Sequence, residues 1–368
     1  MESIYKSMQS NMFFSFILKM LSLMYTLVTK LRIAAYSIDF FKTVSLPTYV
    51  VSVGNITTGG TGKTPFVAMI AKWATKNGIK TAILSRGYKR KKGNKFLIVS
   101  DGQRVLASAD EAGDEAFLLA KKLKSIPVLV SKKRHRIGYL ALKLFNSHLL
   151  LLDDGYQHLS VKRDLNILLI DSMWQFGNNS LLPAGPLREP VNEIKRADII
   201  VLTKCTDKNT GHDLLSYLQG IYPEIPILRA GHFPDQVWLP LKNKLYAPKF
   251  LSGKRVVAFA GLANTGDFFN MIKDLGAIII HSKSFPDHKY FNEKEIKELI
   301  HLKTLSNADL LLTTEKDWSR IVGKIDNDVD IAILTIKIKI ISEQTSEKNK
   351  LFGIIRQGIV NSNETYGY

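Results

Sequence analysis

Val53-Gly54-Asn55-Ile56-Thr57-Thr58-Gly59-Gly60-Thr61-Gly62-Lys63-Thr64-Pro65 decides the reading of this chain. An apolar extended run, Thr48 to Val53, leads into it, and an apolar helical pattern, Phe66 to Trp73, follows. Strand, glycine-rich turn, Lys-Thr and helix in that order form the context of a phosphate-binding loop. Glycines let successive backbone N–H groups curl around a phosphate, and the helix N-terminus adds the positive end of its dipole. Thr57, Thr58, Gly59, Gly60, Thr61 and Gly62 would line the cradle. Lys63 would reach the β- and γ-phosphates, and the Thr64 hydroxyl would join a Mg²⁺ shell. The loop departs from G-x-x-x-x-G-K-[ST] at one place: Thr57 stands where the first glycine belongs.

Outward from the loop, extended apolar runs alternate with helical patterns. Ile79–Leu84, Ile126–Val130, Leu149–Leu152, Asn166–Ile170, Ile199–Thr203 and Pro226–Arg229 read as strands. Asp114–Lys124 and Ile137–Phe145 read as helices between them. Such alternation predicts an α/β fold with a mostly parallel sheet covered on both faces. Val237–Lys254 loosens into Pro- and Lys-bearing connections, an inter-domain region. Beyond it, Arg255–Ala260, Thr265–Leu275, Ala277–His281, Asn292–Leu302, Asp309–Thr313 and Ile331–Ile336 form a second, smaller α/β set. The predicted segments are a helix within 1–36, a phosphate-loop domain over 37–240, a smaller domain over 241–342 and a polar, frayed tail over 343–368.

Several side chains have the chemistry such a loop needs. Leu149 to Leu152 is a buried strand ending in Asp153-Asp154-Gly155, an acid doublet suited to a metal at a strand terminus. Asp171 ends a competing strand but lacks the doublet. Asp110, Glu111, Asp114 and Glu115 read by default as charges complementing a helix dipole. Leu181 to Pro190 is stiffened by prolines around Arg188 and Glu189. These two read equally as a phosphate clamp with a metal ligand, or as a turn with a surface ion pair. Arg86 to Lys95 is a basic loop, either ligand-facing or solvated. His288 precedes a helix in the second set and titrates near neutrality. Thr203-Lys204-Cys205-Thr206-Asp207 is a loose relative of the guanine-reading N-K-x-D.

The chain has 368 residues and a formal charge of +18, which suits an anionic partner. Aromatic residues are not interleaved with basic ones, and no nucleic-acid motif stands out, so nucleic acid is not the expected partner. The single cysteine, Cys205, excludes an intramolecular disulfide and a multi-cysteine metal site. Met12 to Val28 is strongly apolar, with Ser15, Lys19, Ser22, Thr26 and Lys30 on one helical stripe. That pattern predicts an amphipathic helix at a membrane interface, its cations Lys6, Lys19, Lys30 and Arg32 among anionic headgroups. Packing of the helix on its own domain is the alternative. Lys19 at mid-segment argues against a span.

Together these segments resemble the tetraacyldisaccharide 4′-kinase family, the lipid A 4′-kinases of Gram-negative bacteria, from about Leu46 to Asp317. The resemblance rests on Ser52-Val53-Gly54-Asn55 through Pro65, Leu84-Ser85-Arg86-Gly87-Tyr88, Gly113-Asp114-Glu115 and Asp153-Asp154-Gly155-Tyr156-Gln157-His158. It continues through Arg163-Asp164-Leu165, Leu182 to Pro190, Phe285-Asp287-His288 and Thr314-Glu315-Lys316-Asp317. The missing first glycine of the loop is the family's own form. Ala116 and Tyr156 depart from its common pattern, which often carries Pro and Leu there.

The resemblance implies transfer of the γ-phosphoryl of ATP to the 4′-hydroxyl of tetraacyldisaccharide 1-phosphate, giving lipid IVA. It implies a monomer of two α/β domains, with the site in the cleft between them, on the cytoplasmic face of the bacterial inner membrane among anionic lipids. Carried onto this chain, Lys63 and Thr64 bind nucleotide and Mg²⁺. Asp153, Asp154 and Glu189 surround the metal, Gln157 lies near the nucleotide phosphates, and Asp114 is the base, paired with His288. Arg188 would help neutralise the transferring phosphoryl group. The alternative class is a membrane-associated nucleotide switch with no small-molecule acceptor, to which Thr203–Asp207 would belong.

Overall fold

The computed structural model describes residues 12–88, 90, 96–207, 209–262, 264–287, 289–325, 329–341 and 346–366. Two compact units divide the chain: residues up to His232 together with Ile338 onward, and Phe233–Lys337. The first unit begins with α1 (Met12–Ser37), β1 (Tyr49–Gly54), α2 (Lys63–Lys76), β2 (Thr81–Ser85) and β3 (Leu97–Asp101). It continues through α3 (Ala109–Ala112), α4 (Asp114–Lys122), β4 (Pro127–Val130), α5 (Arg134–Phe145), β5 (Leu149–Asp153) and β6 (Leu165–Asp171). A 3₁₀ turn (Val191–Arg196), β7 (Ile199–Thr203), α6 (His212–Ile221) and the start of β8 (Ile227–Leu239) follow.

Its strands lie in the order β3-β4-β2-β5-β1-β6-β7-β8. Only β3 pairs antiparallel; each other pairing in the row is parallel. Every residue of β1, β5, β6 and β7 is buried. That is why these segments read as continuous apolar runs rather than alternating ones. Successive residues nonetheless serve opposite faces. Val51, Val53, Leu149 and Leu151 pack with Phe66, Val67 and Ile70 of α2. Val50, Leu150 and Leu152 pack with Ile137 and Ala141 of α5. The central pairing sets Val53 level with Asp153 on one side and Ile167 on the other, so the loop after β1 emerges beside the end of β5, while β6 runs on to Asp171.

The second unit holds β9 (Lys244–Tyr246), β10 (Arg255–Ala260), α7 (Thr265–Asp274), β11 (Ile278–Ser284), α8 (Glu293–Leu305), β12 (Leu310–Thr314), α9 (Glu315–Ile321) and most of β13 (Ile331–Ile340). Strands β11, β10, β12 and β13 form a parallel row. Val256, Ala258 and Ala260 pack with Phe268 and Ile272 on one face. Val257 and Phe259 pack with Ile296, Leu299 and Trp318 on the other.

The units fall at different boundaries from the predicted segments. The segment 343–368, read as a polar tail frayed at its end, contains helix α10 (Ser346–Tyr366), which belongs to the first unit. Its Leu351, Phe352, Ile355 and Ile359 join the core beside α2, and Phe352 stacks on Trp73 with ring centroids 4.5 Å apart. Four apolar side chains at helical spacing outweigh the polar residues around them.

Helix α1 corrects the reading of its polar stripe. Part of that stripe faces the protein rather than headgroups: Ser22 is buried, and its Oγ donates to Leu181 O at 2.8 Å. The Tyr25 hydroxyl donates to Arg188 O at 3.2 Å, and Leu18 and Thr29 are buried on the same line. Lys19 and Lys30 are exposed, and Lys6 lies outside the described residues. The apolar residues face outward: Phe16, Leu23, Met24 and Val28 are 62%, 65%, 64% and 63% exposed.

Candidate active site

The phosphate loop is shaped by close approach. A Cβ at Gly54 would lie 2.6 Å from Tyr156 Cβ, so only glycine lets the chain following Asp154 cross there. Gly62 sits at φ +82°, and a Cβ on it would come 2.8 Å from His232 Nε2. Burial, with Lys204 nearby, pushes the His232 imidazole down to about 4, so it is neutral. Gly62 is the N-cap of α2 and offers no side chain to the first turn, which carries no acid. The N–H groups of that turn are therefore available to an anion.

The segment before Glu189 runs beside the loop. Thr57 bridges Leu187 antiparallel, Thr58 N donates to Pro186 O at 2.7 Å, and Arg188 N donates to Ile56 O at 2.7 Å. Arg188 and Glu189 thereby lie beside the loop and not on a distant surface turn. Lys63 Nζ donates to Asn55 Oδ1 at 3.1 Å and lies 3.5 Å from Asp154. Arg188 Nη1 meets both Asp154 oxygens, at 3.1 and 3.0 Å. Gln157 Nε2 donates to Asn55 O at 2.8 Å and reaches Glu189 Oε2 at 3.4 Å. Glu189 also pairs with Arg196.

The acid doublet splits into two environments. Asp154 takes φ +54°, and its backbone O accepts from Arg134 Nη1 at 3.0 Å. Burial opposes its charge, yet Lys63, Arg188 and Arg134 hold its carboxyl well below the usual carboxylate range. Asp153 is buried with both oxygens unpartnered. Burial, then Glu115 and Asp154, pushes it up to about 7 against the pull of Lys63 and Arg134. A buried carboxylate with no hydrogen bond is costly unless something supplies positive charge. Thr58 Oγ1, Thr61 Oγ1 and Glu189 Oε1 are likewise buried and unpartnered.

These orphaned atoms fit a polyphosphate with a divalent cation: hydroxyls to donate to phosphate oxygens, carboxylate oxygens to face the metal. Among the described residues, no group of three or more His, Cys, Asp or Glu gathers as a metal cage. Asp153, Asp154 and Glu189 are thus not a closed triad; Asp154 is committed to cations of the protein. Mg²⁺ ordinarily takes one or two carboxylates plus phosphate oxygens and water, which this arrangement suits.

Asp114 is the first residue of α4, half-buried behind Gly113. Gly113 takes φ +86°, and a Cβ on it would lie 2.5 Å from Tyr88 O. The Arg86–Lys95 loop thus packs its described start against the turn that presents Asp114. His288, with Lys89 and residues 91–95 of that loop, lies outside the described residues. Sequence reasoning missed Arg134 and gave Glu115 no separate role. Arg134 sits in a Lys-Lys-Arg-His-Arg run where no spacing sets one cation apart.

Two rival features are explained locally. Asp207 Oδ1 accepts from Asn209 N, Thr210 N and Thr210 Oγ1 at 2.9, 2.8 and 2.8 Å, so its carboxylate shapes its own turn. Lys204 pairs with Asp171 at 2.7 Å. Asp171 Oδ1 also accepts from Met173 N and Trp174 N, which removes it as the metal acid.

A parallel α/β sheet whose first strand feeds a glycine loop, a lysine and an adjacent strand-end carboxylate defines a phosphate-loop nucleotide-binding protein. Residues 14–355 match the family model described as tetraacyldisaccharide-1-P 4′-kinase. The chain is 41% identical over 301 residues to the tetraacyldisaccharide 4′-kinase of Geobacter metallireducens, covering 82% of this chain and 87% of the relative. It is 36% identical over 340 residues to that of Desulfatibacillum aliphaticivorans, covering 91% and 92%. The crystal structure of LpxK from Aquifex aeolicus in complex with ATP superposes with a TM-score of 0.72 at 33% identity, over 92% of this chain and 97% of that one. The chain belongs to the tetraacyldisaccharide-1-phosphate 4′-kinase family.

Proposed function

We propose that this protein transfers the γ-phosphoryl of ATP to the 4′-hydroxyl of tetraacyldisaccharide 1-phosphate in lipid A biosynthesis. The observation that carries the reading is the buried, unpartnered Asp153 at the end of β5, in the field of Lys63 and level with the start of the phosphate loop. The loop N–H groups and Lys63 hold the β- and γ-phosphates. Asp154 keeps the lysine and Arg188 beside each other, where both meet the charge of the transferring group. Asp153 and Thr64, with Glu189, would hold Mg²⁺. When bound, the ion neutralises charge shared by the β- and γ-phosphates. Asp114 accepts the proton of the sugar hydroxyl as its oxygen bonds to the γ-phosphorus and the bond to ADP breaks. His288 is assigned the supporting role for that proton.

The outward apolar face of α1 supports a membrane location for the acceptor. The helix is long and apolar enough to cross a bilayer. Its docking through Leu18, Ser22, Tyr25 and Thr29 favours lying in the interface, because one side is already occupied by protein. Anionic lipids of the cytoplasmic leaflet suit the positive chain. The test is γ-labelled ATP with Mg²⁺ and the disaccharide lipid. Label should enter a chloroform-soluble product; release as inorganic phosphate alone would overturn the assignment.

A further inference from the structure

We infer that Arg196 is a positioning residue for phosphoryl transfer, holding Glu189 at a fixed angle through a platform made by Tyr156 and Glu193. This rests on the reading of Glu189 as a site carboxylate. Glu189 is fully buried; its Oε2 is engaged by Arg196 Nη2 and Gln157, and its Oε1 has no partner. A carboxylate with one oxygen tied and the other open is fixed in plane and still able to act.

Besides Glu189, three contacts hold Arg196. Its Nε lies 2.8 Å from Glu193 Oε2, and its guanidinium carbon lies 4.6 Å from the centre of the Tyr156 ring. Its backbone O accepts from Asn166 Nδ2 at 2.9 Å, which ties the end of the 3₁₀ turn to β6. Tyr156 is fully buried, donates its hydroxyl to Glu193 O at 2.6 Å and abuts Gly54 at the root of the loop. An arginine can meet two carboxylates along its edges while its flat face rests on a ring; a lysine cannot.

From Arg196 the contacts run to the reacting end of the loop. Glu189 meets Gln157, Gln157 donates to Asn55 O, and Asn55 Oδ1 accepts from Lys63. A shift of Arg196 is thus transmitted through Glu189 and Gln157 toward Asn55 and Lys63.

Arg196→Lys, Glu189→Gln and the double variant of the full-length enzyme test this, each first shown to be folded by circular dichroism. Arg196→Lys retains the buried charge, which a neutral replacement would not. It should lower kcat about 10- to 100-fold, the usual cost of losing a partner that orients a metal ligand. The double variant should be no slower than Glu189→Gln alone. Calorimetry with a non-hydrolysable ATP analogue gives a second readout: Mg²⁺ should tighten binding about tenfold less in Arg196→Lys, with affinity in EDTA unchanged. If Arg196→Lys matches wild type in both while Glu189→Gln is impaired, the positioning role is overturned. Additive losses in the double variant overturn it as well. A fully active Glu189→Gln would instead overturn the reading of Glu189 on which it rests.

Discussion

Two buried aspartates, one in each unit, stand at comparable places and are treated in opposite ways. Asp153 ends β5 in the first unit, and neither of its oxygens has a partner. Asp317 lies in the first turn after β12 in the second unit, and both its oxygens are engaged. Oδ2 accepts from Gly261 N at 3.0 Å and Thr314 Oγ1 at 2.7 Å, and Oδ1 lies 3.4 Å from Arg320 Nη1. Burial raises the proton affinity of each. The first unit leaves its buried carboxylate open, and the second uses its own to hold two loops together.

Substitution at the two positions should separate activity from stability. Asp153→Asn removes an uncompensated buried charge; kcat should fall about 100- to 1,000-fold with the melting temperature held or raised. A drop in melting temperature without loss of turnover would mean the contrast has been drawn backwards. Asp317→Ala strands the Gly261 amide, takes one partner from Arg320 and should cost about 3–5 kcal/mol by denaturant unfolding of the second unit. Unchanged unfolding would show that its hydrogen bonds are dispensable.

A smaller contrast lies within α1, between the docked Leu18 and Ser22 and the outward Leu23 and Leu27. Leu23→Glu with Leu27→Glu should reduce partitioning to anionic vesicles about tenfold or more, since each buried leucine contributes about 1.5–3 kcal/mol. Equal partitioning would leave the outward face without a membrane role. The smallest effect concerns helix starts. Helix α7 is capped by Asn264, which accepts from Gly266 N, whereas α2 has no side-chain cap. Asn264→Ala should cost about 1 kcal/mol and leave KM for ATP alone; a raised KM would contradict that separation.

The central strands were legible because they are buried on both faces, and β1 and β5 end at glycine or acid, Val53-Gly54 and Leu152-Asp153. The loop, Lys63 and the acid doublet stood out because chemistry constrains them at short range, whereas Arg188 read equally as part of a surface turn. What was hidden depends on contacts between distant residues. Glu189 binds Arg196 and Gln157 only once the chain folds back. Tyr156 read as a neighbouring change in a motif, yet its ring lies under Arg196. The stripe on α1 was visible as a period, but period alone does not say which side meets protein. Strand β8 runs on to Leu239, past the expected end at Arg229, because Pro234 and Asp235 disguise its second half.

The return of α10 to the first core has a consequence for the order of assembly on the ribosome. Residues 233–337 are contiguous and emerge before Ile338, so the second unit has all of its chain while the nucleotide unit still lacks Leu351, Phe352, Ile355 and Ile359. Trp73 waits for the Phe352 ring that stacks on it, in a segment made more than a whole unit later. The nucleotide-binding half, first to be synthesised, is the last to close, and it is the half a C-terminal truncation would cripple.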